Sequence, residues 1–434
     1  MRLGLDPDFQ FSSSRAIYKG ILKFIGKRDH RDVVVQPLPV NSFAITPKDG
    51  GYLLTWAPTV DSLEATAMPT KYVVSERVGA HGGAFKEIAV VERAEYMAKV
   101  TDNEIHSYRI QAMNDGGRSF PSEVLSLGVA PASKGTAMVV NAFTRVSAPD
   151  WVDEGDFATF TDETDHGVPY IQGINYIGSQ YEKRRSAGWS DARGGFGSSH
   201  SDYEGAVIAG NTFDFPAVHG ESLMAAGYSF VSTSVKAVEQ GVAKLDGYKV
   251  LDIIAGKQKE TKVGYGAYPS KYKLLSPALM QAVENATKTG ANVLLTGAYV
   301  ASDVFDHQSP NADEVAFAKN VMGYAWGGNQ ASCTGEVYTI PTAVKQIPGY
   351  TDIKYNNELS NKVYCVESPN SIFASDKLGM PFMRYTENNR NAGIVSRREG
   401  YRTAVLGFPF ETIISREVRD LLMKQILDFF ASEN

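Results

Sequence analysis

The chain has 434 residues, of which 43% are hydrophobic and 21% charged, and its formal net charge at pH 7 is -6. A single hydrophobic core rarely grows beyond roughly 250 residues, so this length predicts two or more domains. The acidic balance, without a long basic run, argues against a nucleic acid partner, and no apolar stretch is long enough to span a membrane.

Residues 1–37 predict a helix followed by a linker, the remnant of a preceding domain. Ile17, Ile21 and Phe24 recur at intervals of three and four residues, behind serines that can cap the start of a helix. A lone helix of this length is marginal in water. Its apolar stripe is therefore expected to pack either on the following domain or on a preceding one.

Residues 38–131 show short alternating runs separated by turn signals, which predicts antiparallel strands of a β-sandwich. Trp56 and the run from Tyr108 through Ile110 and Ala112 to Asn114 resemble the fibronectin type III family. The family's fold implies that Trp56, Tyr72 and Tyr108 are core residues, with the Tyr108 hydroxyl tied to nearby backbone. The resemblance also implies a spacer or docking module in an exported protein.

From residue 136 to residue 434 the pattern changes to strands that alternate with helices, which predicts a three-layer α/β domain with a parallel sheet. The predicted strands are 137–143, 228–233, 249–254, 292–296 and 403–407, and the predicted helices are 217–226, 276–289, 314–323 and 416–430. Ser276 and Pro277 indicate the start of the second of these helices. The topology resembles the class I glutamine amidotransferase-like and flavodoxin-like folds. A nucleophile elbow is missing, because Gly297, Ala298 and Tyr299 stand where those enzymes carry Cys or Ser.

An insertion at 147–216 separates the first strand from its helix, and it is far longer than the usual connection. Because it starts at the carboxyl end of a parallel strand, where such sheets bind ligands, it is expected to cap a crevice. Two cysteines, Cys333 and Cys365, exclude a disulfide-dense scaffold. They either form one bridge or remain free thiols. No metal and no cofactor is predicted.

Ionisable groups near this predicted crevice suggest acid-base chemistry on a glycosidic or ester bond. In that hypothesis Asp303 or Glu221 is the acid, His219 the base, and Arg193 the partner of a sugar carboxylate. His219 and Glu221 stand at the start of a helix, where capping is the simpler interpretation. The residues expected to bind substrate are Trp189, Asp191, His200, Tyr203, Tyr299 and Glu411.

A second resemblance covers 138–434. Segments 139–147, 202–205, 210–214 and 227–232, with His219 and Gly220, are similar to a bacterial family labelled putative xanthan lyase that carries a golvesin C-terminal-like segment. The opening helix, with its sequence Ala-Ile-Tyr-Lys-Gly-Ile-Leu, resembles the last helix of an N-acetylmuramoyl-L-alanine amidase.

The sequence therefore predicts an exported region, secreted, periplasmic or on the cell surface, that binds polysaccharide or peptidoglycan fragments or assists their processing. In the alternative, the α/β domain is itself a polysaccharide hydrolase or lyase. A preceding amidase domain is a further possible partner.

Overall fold

The structure is a computed structural model that describes residues 2–190, 192–262, 270–340, 344–345, 347 and 351–432. Of the predicted site residues, Asp191 lies outside this described part. Within it, no helix is long and apolar enough to cross a membrane.

Two helices, α1 (Arg2–Leu5) and α2 (Pro7–Arg28), open the chain. The N-terminal cap of α2 is Asp6, whose carboxylate accepts hydrogen bonds from the backbone N–H groups of Asp8 and Phe9. The prediction that a serine caps this helix is therefore wrong, because the serines at 12–14 lie inside it. The helix meets the sandwich through its basic side, where Arg15 and Lys19 both pair with Asp61.

The apolar stripe of α2 does not pack on the following domain. Ile17, Ile21 and Phe24 are 64%, 56% and 69% exposed. The first of the two packing arrangements expected from the sequence is therefore not found for these three residues. The helix instead meets the sandwich region through the ion pairs of its basic side and through Phe11, whose ring lies 5.9 Å from that of Phe120.

Eight strands form the sandwich region: β1 (Asn41–Lys48), β2 (Gly51–Ala57), β3 (Lys71–Val78), β4 (Lys86–Val91), β5 (Glu95–Ala98), β6 (Ile105–Asn114), β7 (Gly117–Arg118) and β8 (Leu125–Gly128). A short 3-10 helix, Ala65–Ala67, lies between β2 and β3. β2 pairs with β1 and β5, and β3 pairs with β4 and β6. Trp56, Tyr72 and Tyr108 are buried in the core, as predicted. The Tyr108 hydroxyl donates to the Glu76 carboxylate at 2.7 Å rather than to backbone.

The rest of the chain contains strands β9 to β23 and helices α3 to α8. In chain order they are β9 (Thr136–Asn141), β10 (Trp151–Glu154), β11 (Phe157–Phe160), β12 (Gln172–Gly173), β13 (Ile208–Ala209), α3 (Phe215–Ala225), β14 (Ser229–Ser234), α4 (Val235–Glu239), β15 (Val250–Gly256), α5 (Pro277–Lys288), β16 (Asn292–Gly297), α6 (Ser302–Phe305), α7 (Ala312–Ala316), β17 (Tyr324–Gly328), β18 (Glu336–Thr339), β19 (Asp352–Lys354), β20 (Ser371–Ala374), β21 (Gly379–Tyr385), β22 (Asn391–Arg398), β23 (Tyr401–Leu406) and α8 (Arg416–Ala431). A π-helical turn, Phe317–Met322, follows α7, and a 3-10 helix, Phe410–Thr412, precedes α8.

Five of these strands form a parallel sheet in the order β14, β9, β15, β16, β23. Helices cover both faces, because alternate residues of a strand point to opposite sides. In β9, Met138 and Val140 join the core with α4 and α5, whereas Ala137 and Val139 join the core with α3 and α8. Strands β22, β21, β18 and β19 extend the sheet antiparallel beyond β23. This extension was not predicted from the sequence.

The sandwich is joined to the parallel sheet through both backbone and side chains. β8 and β1 pair with β14, at Gly128 with Phe230 and at Ala44 with Thr233. The Arg77 guanidinium binds the Asp214 carboxylate through two nitrogens, at 2.6 and 2.8 Å, in a buried position. The two units therefore share one packed boundary.

The insertion closes on itself at its base. Ser147 pairs with Val168, and the Asn211 side-chain amide donates to the Phe143 carbonyl at 2.8 Å. Gly210 lies against the Pro169 backbone so closely that a Cβ there would overlap its carbonyl group.

Gly210→Ala is expected to lower the free energy of unfolding by about 1–3 kcal/mol, because backbone must move to admit the methyl group. Urea denaturation measures this change. Gly188→Ala is the matched control in the same insertion, since nothing lies within 4 Å of its added Cβ. Equal stability of the two variants would show that the base of the insertion is loosely packed.

Candidate functional site

A buried cluster of charges attaches the insertion to the carboxyl edge of the parallel sheet. Arg145, which follows β9, forms an ion pair with Asp165 of the insertion. Lys257, which follows β15, lies 3.5 Å from the Asp165 carboxylate and 2.6 Å from that of Glu367. The side chains of these four residues are at most 6% exposed. Their mutual pairing offsets the cost of removing charges from water.

Lys259 and Tyr299 also hold the insertion against the sheet. The Lys259 ammonium lies 2.9 Å from the Asp165 carboxylate and 4.9 Å from the centre of the Tyr299 ring. The Tyr299 hydroxyl, after β16, donates to the backbone carbonyl of Thr164 at 3.3 Å. The insertion thus lies across the carboxyl ends of β9, β15 and β16.

The electrostatics of this cluster favour its charged form. Burial alone would raise the pKa of Asp165, but Arg145, Lys259 and Lys257 together hold it well below its usual range. Burial raises the pKa of Tyr299, and the neighbouring Asp165 carboxylate raises it further. Asp165 is therefore an anion and Tyr299 a neutral hydrogen-bond donor at neutral pH.

A cavity of about 530 Å³ lies beside this cluster, between the insertion, the start of α2 and the loop that contains Tyr364. Its walls are mainly aromatic, aliphatic and amide-bearing. The lining includes Phe160, Tyr170, Tyr176, Ile177, Ile208, Gln10, Gln172, Asn175, Gln180, Asp162, His166, Lys257, Tyr364 and Cys365.

The side-chain amides that line the cavity differ in whether they form hydrogen bonds within the protein. The Gln180 side-chain oxygen accepts from the Thr159 hydroxyl and the Phe160 backbone, both at 2.9 Å. Gln172 and Asn175 are exposed, and their side-chain amides make no hydrogen bond within the described part of the chain. These two amides are available to a bound molecule.

Two ionisable side chains at the cavity wall, Asp162 and His166, pack against other residues of the insertion. The Asp162 carboxylate accepts the hydroxyls of Tyr176 and Ser179, at 2.6 and 2.8 Å. His166 packs edge-on against the Tyr176 ring, and its Nδ1 is buried without a hydrogen-bond partner among the described residues. Burial lowers the pKa of His166, against the opposing effect of Glu367, so its imidazole is neutral at pH 7.

Among solved structures, fibronectin type III domains are similar to part of this chain. The fourth FNIII domain of a human protein is 24% identical over 23% of this chain and 87% of that domain, with a TM-score of 0.20. The domain of human fibronectin type III domain containing protein 3 is 22% identical over 23% and 92%, also with a TM-score of 0.20. A twitchin kinase region from C. elegans is 25% identical over 20% of this chain, with a TM-score of 0.19, and the match spans 16% of that region.

No family model matches the chain, and no curated protein matches it. The similar solved structures concern a fibronectin type III-like module. The two FNIII matches named above each cover 23% of the chain.

The predicted base, His219, is wholly buried between α3 and the sheet. Its Nδ1 lies 2.8 Å from Asp252 in β15, and its Nε2 lies 3.3 Å from Glu411. The Glu411 carboxylate also accepts the Tyr364 hydroxyl at 2.7 Å. Burial alone would lower the pKa of His219, but the two carboxylates raise it to about 9. Both ring nitrogens point into the protein, so a substrate in the cavity does not reach them.

The two predicted acids lie elsewhere. Glu221 accepts the His81 backbone N–H at 3.2 Å and lies 3.7 Å from Arg416. Asp303 accepts the backbone N–H groups of Glu260 and Leu274, at 2.5 and 2.9 Å. Neither residue lines the cavity. Burial raises the pKa of Asp303, although Lys273 opposes this effect.

The remaining predicted residues spread over the insertion. Trp189 is 77% exposed and, with Arg193, lines a separate surface depression. His200 is exposed and packs against the Tyr181 ring at 5.1 Å. Tyr203 packs against the cavity residue Tyr176, with 5.6 Å between ring centres. The structure therefore does not bring Arg193, His219, Glu221 and Asp303 into one site.

Sequence reasoning missed Arg145, Lys257 and the Asp165–His166 pair. Arg145 and Lys257 follow strands directly, and the rule used for Asp303 would have selected them had it been applied to every strand end. Asp165 and His166 lie in irregular chain, which carries no periodic signal. Both cysteines are free, Cys333 exposed and Cys365 buried. No three His, Cys, Asp or Glu side chains of the described ranges are placed to hold a metal ion.

Proposed function

We propose that the cavity beneath the insertion binds a saccharide without cleaving it, as part of an exported protein that positions cell-wall or capsular glycan. The observation that supports this proposal is the lining of the cavity, in which aromatic rings stand beside unoccupied side-chain amides. Aromatic faces stack on the apolar faces of sugar rings, and amides exchange hydrogen bonds with hydroxyl and N-acetyl groups.

The charged groups near the cavity support binding over catalysis. A hydrolase needs two ionisable groups that converge on one bond. Here Lys257 is held by Glu367 at 2.6 Å, and Asp162 is held by Tyr176 and Ser179. The catalytic alternative built on His219, Glu221, Asp303 and Arg193 has no shared cavity to support it.

Two resemblances supply the finer parts of the proposal. The strand order of the parallel sheet agrees with a flavodoxin-like or class I glutamine amidotransferase-like fold. The resemblance to the family labelled putative xanthan lyase favours a bacterial glycan as ligand. The resemblance of α2 to the last helix of an amidase favours an amidase domain before it. Since such a domain acts on peptidoglycan, peptidoglycan is one of the proposed ligands.

Titration calorimetry with two probes tests the function: the peptidoglycan disaccharide of N-acetylglucosamine and N-acetylmuramic acid, and the xanthan repeating pentasaccharide. At least one probe is expected to bind, and the double variant Gln172→Ala/Asn175→Ala is expected to weaken that binding at least ten-fold. Asn103→Ala, at an exposed amide of the sandwich, serves as the control.

Release of new reducing ends or of 4,5-unsaturated uronates is measured in the same samples. Turnover would favour the hydrolase or lyase alternative. Binding of neither probe, or unchanged binding by the double variant, would contradict the proposed function.

A further inference from the structure

The outer surface of the insertion carries a second group of exposed aromatic side chains. Trp189 is 77% exposed, Tyr181 54% and Phe196 43%. Isolated apolar residues are common on protein surfaces, but Trp189 and Tyr181 line the same surface depression, and such a grouping needs an explanation.

The Trp189 indole lies against the backbone of Gly195. A Cβ added to Gly195 would overlap ring atoms Cδ1, Nε1 and Cγ, so the absence of a side chain there lets the ring rest on the main chain. One side of the indole is supported in this way, while most of its surface stays open to solvent. This is the arrangement that stacking on a flat ligand requires.

Polar groups surround this ring. Arg184 and Arg193 line the depression together with Glu182, whose carboxylate binds the Arg184 guanidinium at 3.1 and 3.0 Å. Donors and an acceptor therefore lie around an aromatic face, which suits a sugar ring with hydroxyls at its edge and C–H groups on its face.

Two short extended segments, paired at Gln180 and Ser199, contribute residues to both the depression and the cavity. Gln180 pairs with Ser199, and both line the cavity. Tyr181, the next residue, lines the depression and donates its backbone N–H to Ser198 at 3.0 Å. Since neighbouring residues of an extended segment point to opposite sides, the two sites lie on opposite sides of the same ribbon.

We propose that Trp189 and Tyr181 form a second sugar-binding site, so that the protein holds a polymeric glycan at two points. This inference rests on the proposed function of the cavity and specifies its ligand as a polymer. Two sites on one insertion raise the affinity for a polymer that reaches both of them, because the second binding event becomes intramolecular.

Binding to short and long probes separates the two sites. Trp189→Ala is expected to leave the affinity for the disaccharide and the pentasaccharide within two-fold of the wild type. It is expected to weaken binding to isolated peptidoglycan glycan strands or to xanthan at least ten-fold in sedimentation assays. Trp189→Phe, which keeps an aromatic face, is expected to retain most of the polymer affinity, and Leu63→Ala, at a residue 85% exposed on the sandwich, serves as the control.

The outcomes distinguish this inference from the function of the cavity. If short probes bind but Trp189→Ala holds polymer as tightly as the wild type, the second site is refuted and the cavity function stands. If the short probes fail to bind while Trp189→Ala still weakens polymer binding, the cavity function fails and Trp189 remains a glycan contact. A dimer that Trp189→Ala dissociates in analytical ultracentrifugation, with polymer binding unchanged, would assign the surface to a second copy and overturn the inference.

Discussion

Arg145→Ala is expected to lower the free energy of unfolding by about 3–5 kcal/mol, because it leaves the Asp165 carboxylate buried without its strongest partner. The guanidinium is 1% exposed and also donates to the Thr261 hydroxyl at 2.9 Å and to the Lys257 carbonyl at 3.2 Å. Its loss removes the ion pair between the segment after β9 and the insertion, so the insertion should detach before the sheet unfolds.

Urea denaturation measures the loss of stability, and limited proteolysis measures detachment as faster cleavage within 147–216. Arg184→Ala is the matched control, since Arg184 is an exposed arginine of the same insertion that forms an ion pair with Glu182. An exposed ion pair of this kind contributes little, so the free energy of unfolding of Arg184→Ala should differ from that of the wild type by less than about 1 kcal/mol. Indistinguishable proteolysis of the two variants would refute an anchoring role for Arg145.

His219→Leu is expected to be comparably destabilising, by about 3–5 kcal/mol, since it removes the cation between two buried carboxylates. Asp252 and Glu411 would then face each other without compensation. The same imidazolium makes stability depend on pH. Its pKa rises from 6.5 in the unfolded chain to about 9 in the fold, so its contribution is fully present below pH 6.5 and is lost as pH rises through 9.

The pH dependence is measured as the free energy of unfolding between pH 6 and pH 10. The wild type is expected to lose roughly 3 kcal/mol over this interval through His219, because each unit of pKa shift corresponds to about 1.4 kcal/mol. His219→Leu should lack this loss, whereas His200→Leu, at an exposed histidine, should retain it. The same slope in His219→Leu and in the wild type would show that the imidazolium is not what couples folding to pH.

Local signals predicted the regular elements well. Ser276 and Pro277 predicted the start of α5, and the structure confirms Ser276 as its cap, where its hydroxyl accepts the Leu279 N–H. The helix predicted at 314–323 is divided instead into α7 and a π-helical turn that ends at Gly323, with a φ of +86°. Propensity and periodicity predict that a segment is helical, but they do not predict the hydrogen-bond pattern within it.

The antiparallel strands β17 to β22 were missed for a related reason. Residues such as Phe382 and Ile394 are buried by neighbours from distant parts of the chain, and their strands are separated by irregular loops. Strand pairing at long range leaves a weaker trace in the sequence than helical periodicity.

The candidate site also shows that local sequence patterns do not reveal which distant residues meet. His219 was selected as a base from its residue type and its expected place near the crevice, and the fold places it at 0% exposure between two carboxylates. No local pattern distinguishes a buried ion-paired histidine from one in a cleft, because the partners, Asp252 and Glu411, are 33 and 192 residues away.

What the sequence alone determined is local: the alternation of the sandwich strands, the start of α5, and the Trp56 and Tyr108 core positions. These depend on side-chain size, backbone preference and spacing within one element. Only the tertiary structure decided which charges meet at the carboxyl edge of the sheet and which are buried away from the cavity. A charge is stabilised or displaced by the groups that surround it in space, and chain topology fixes those neighbours.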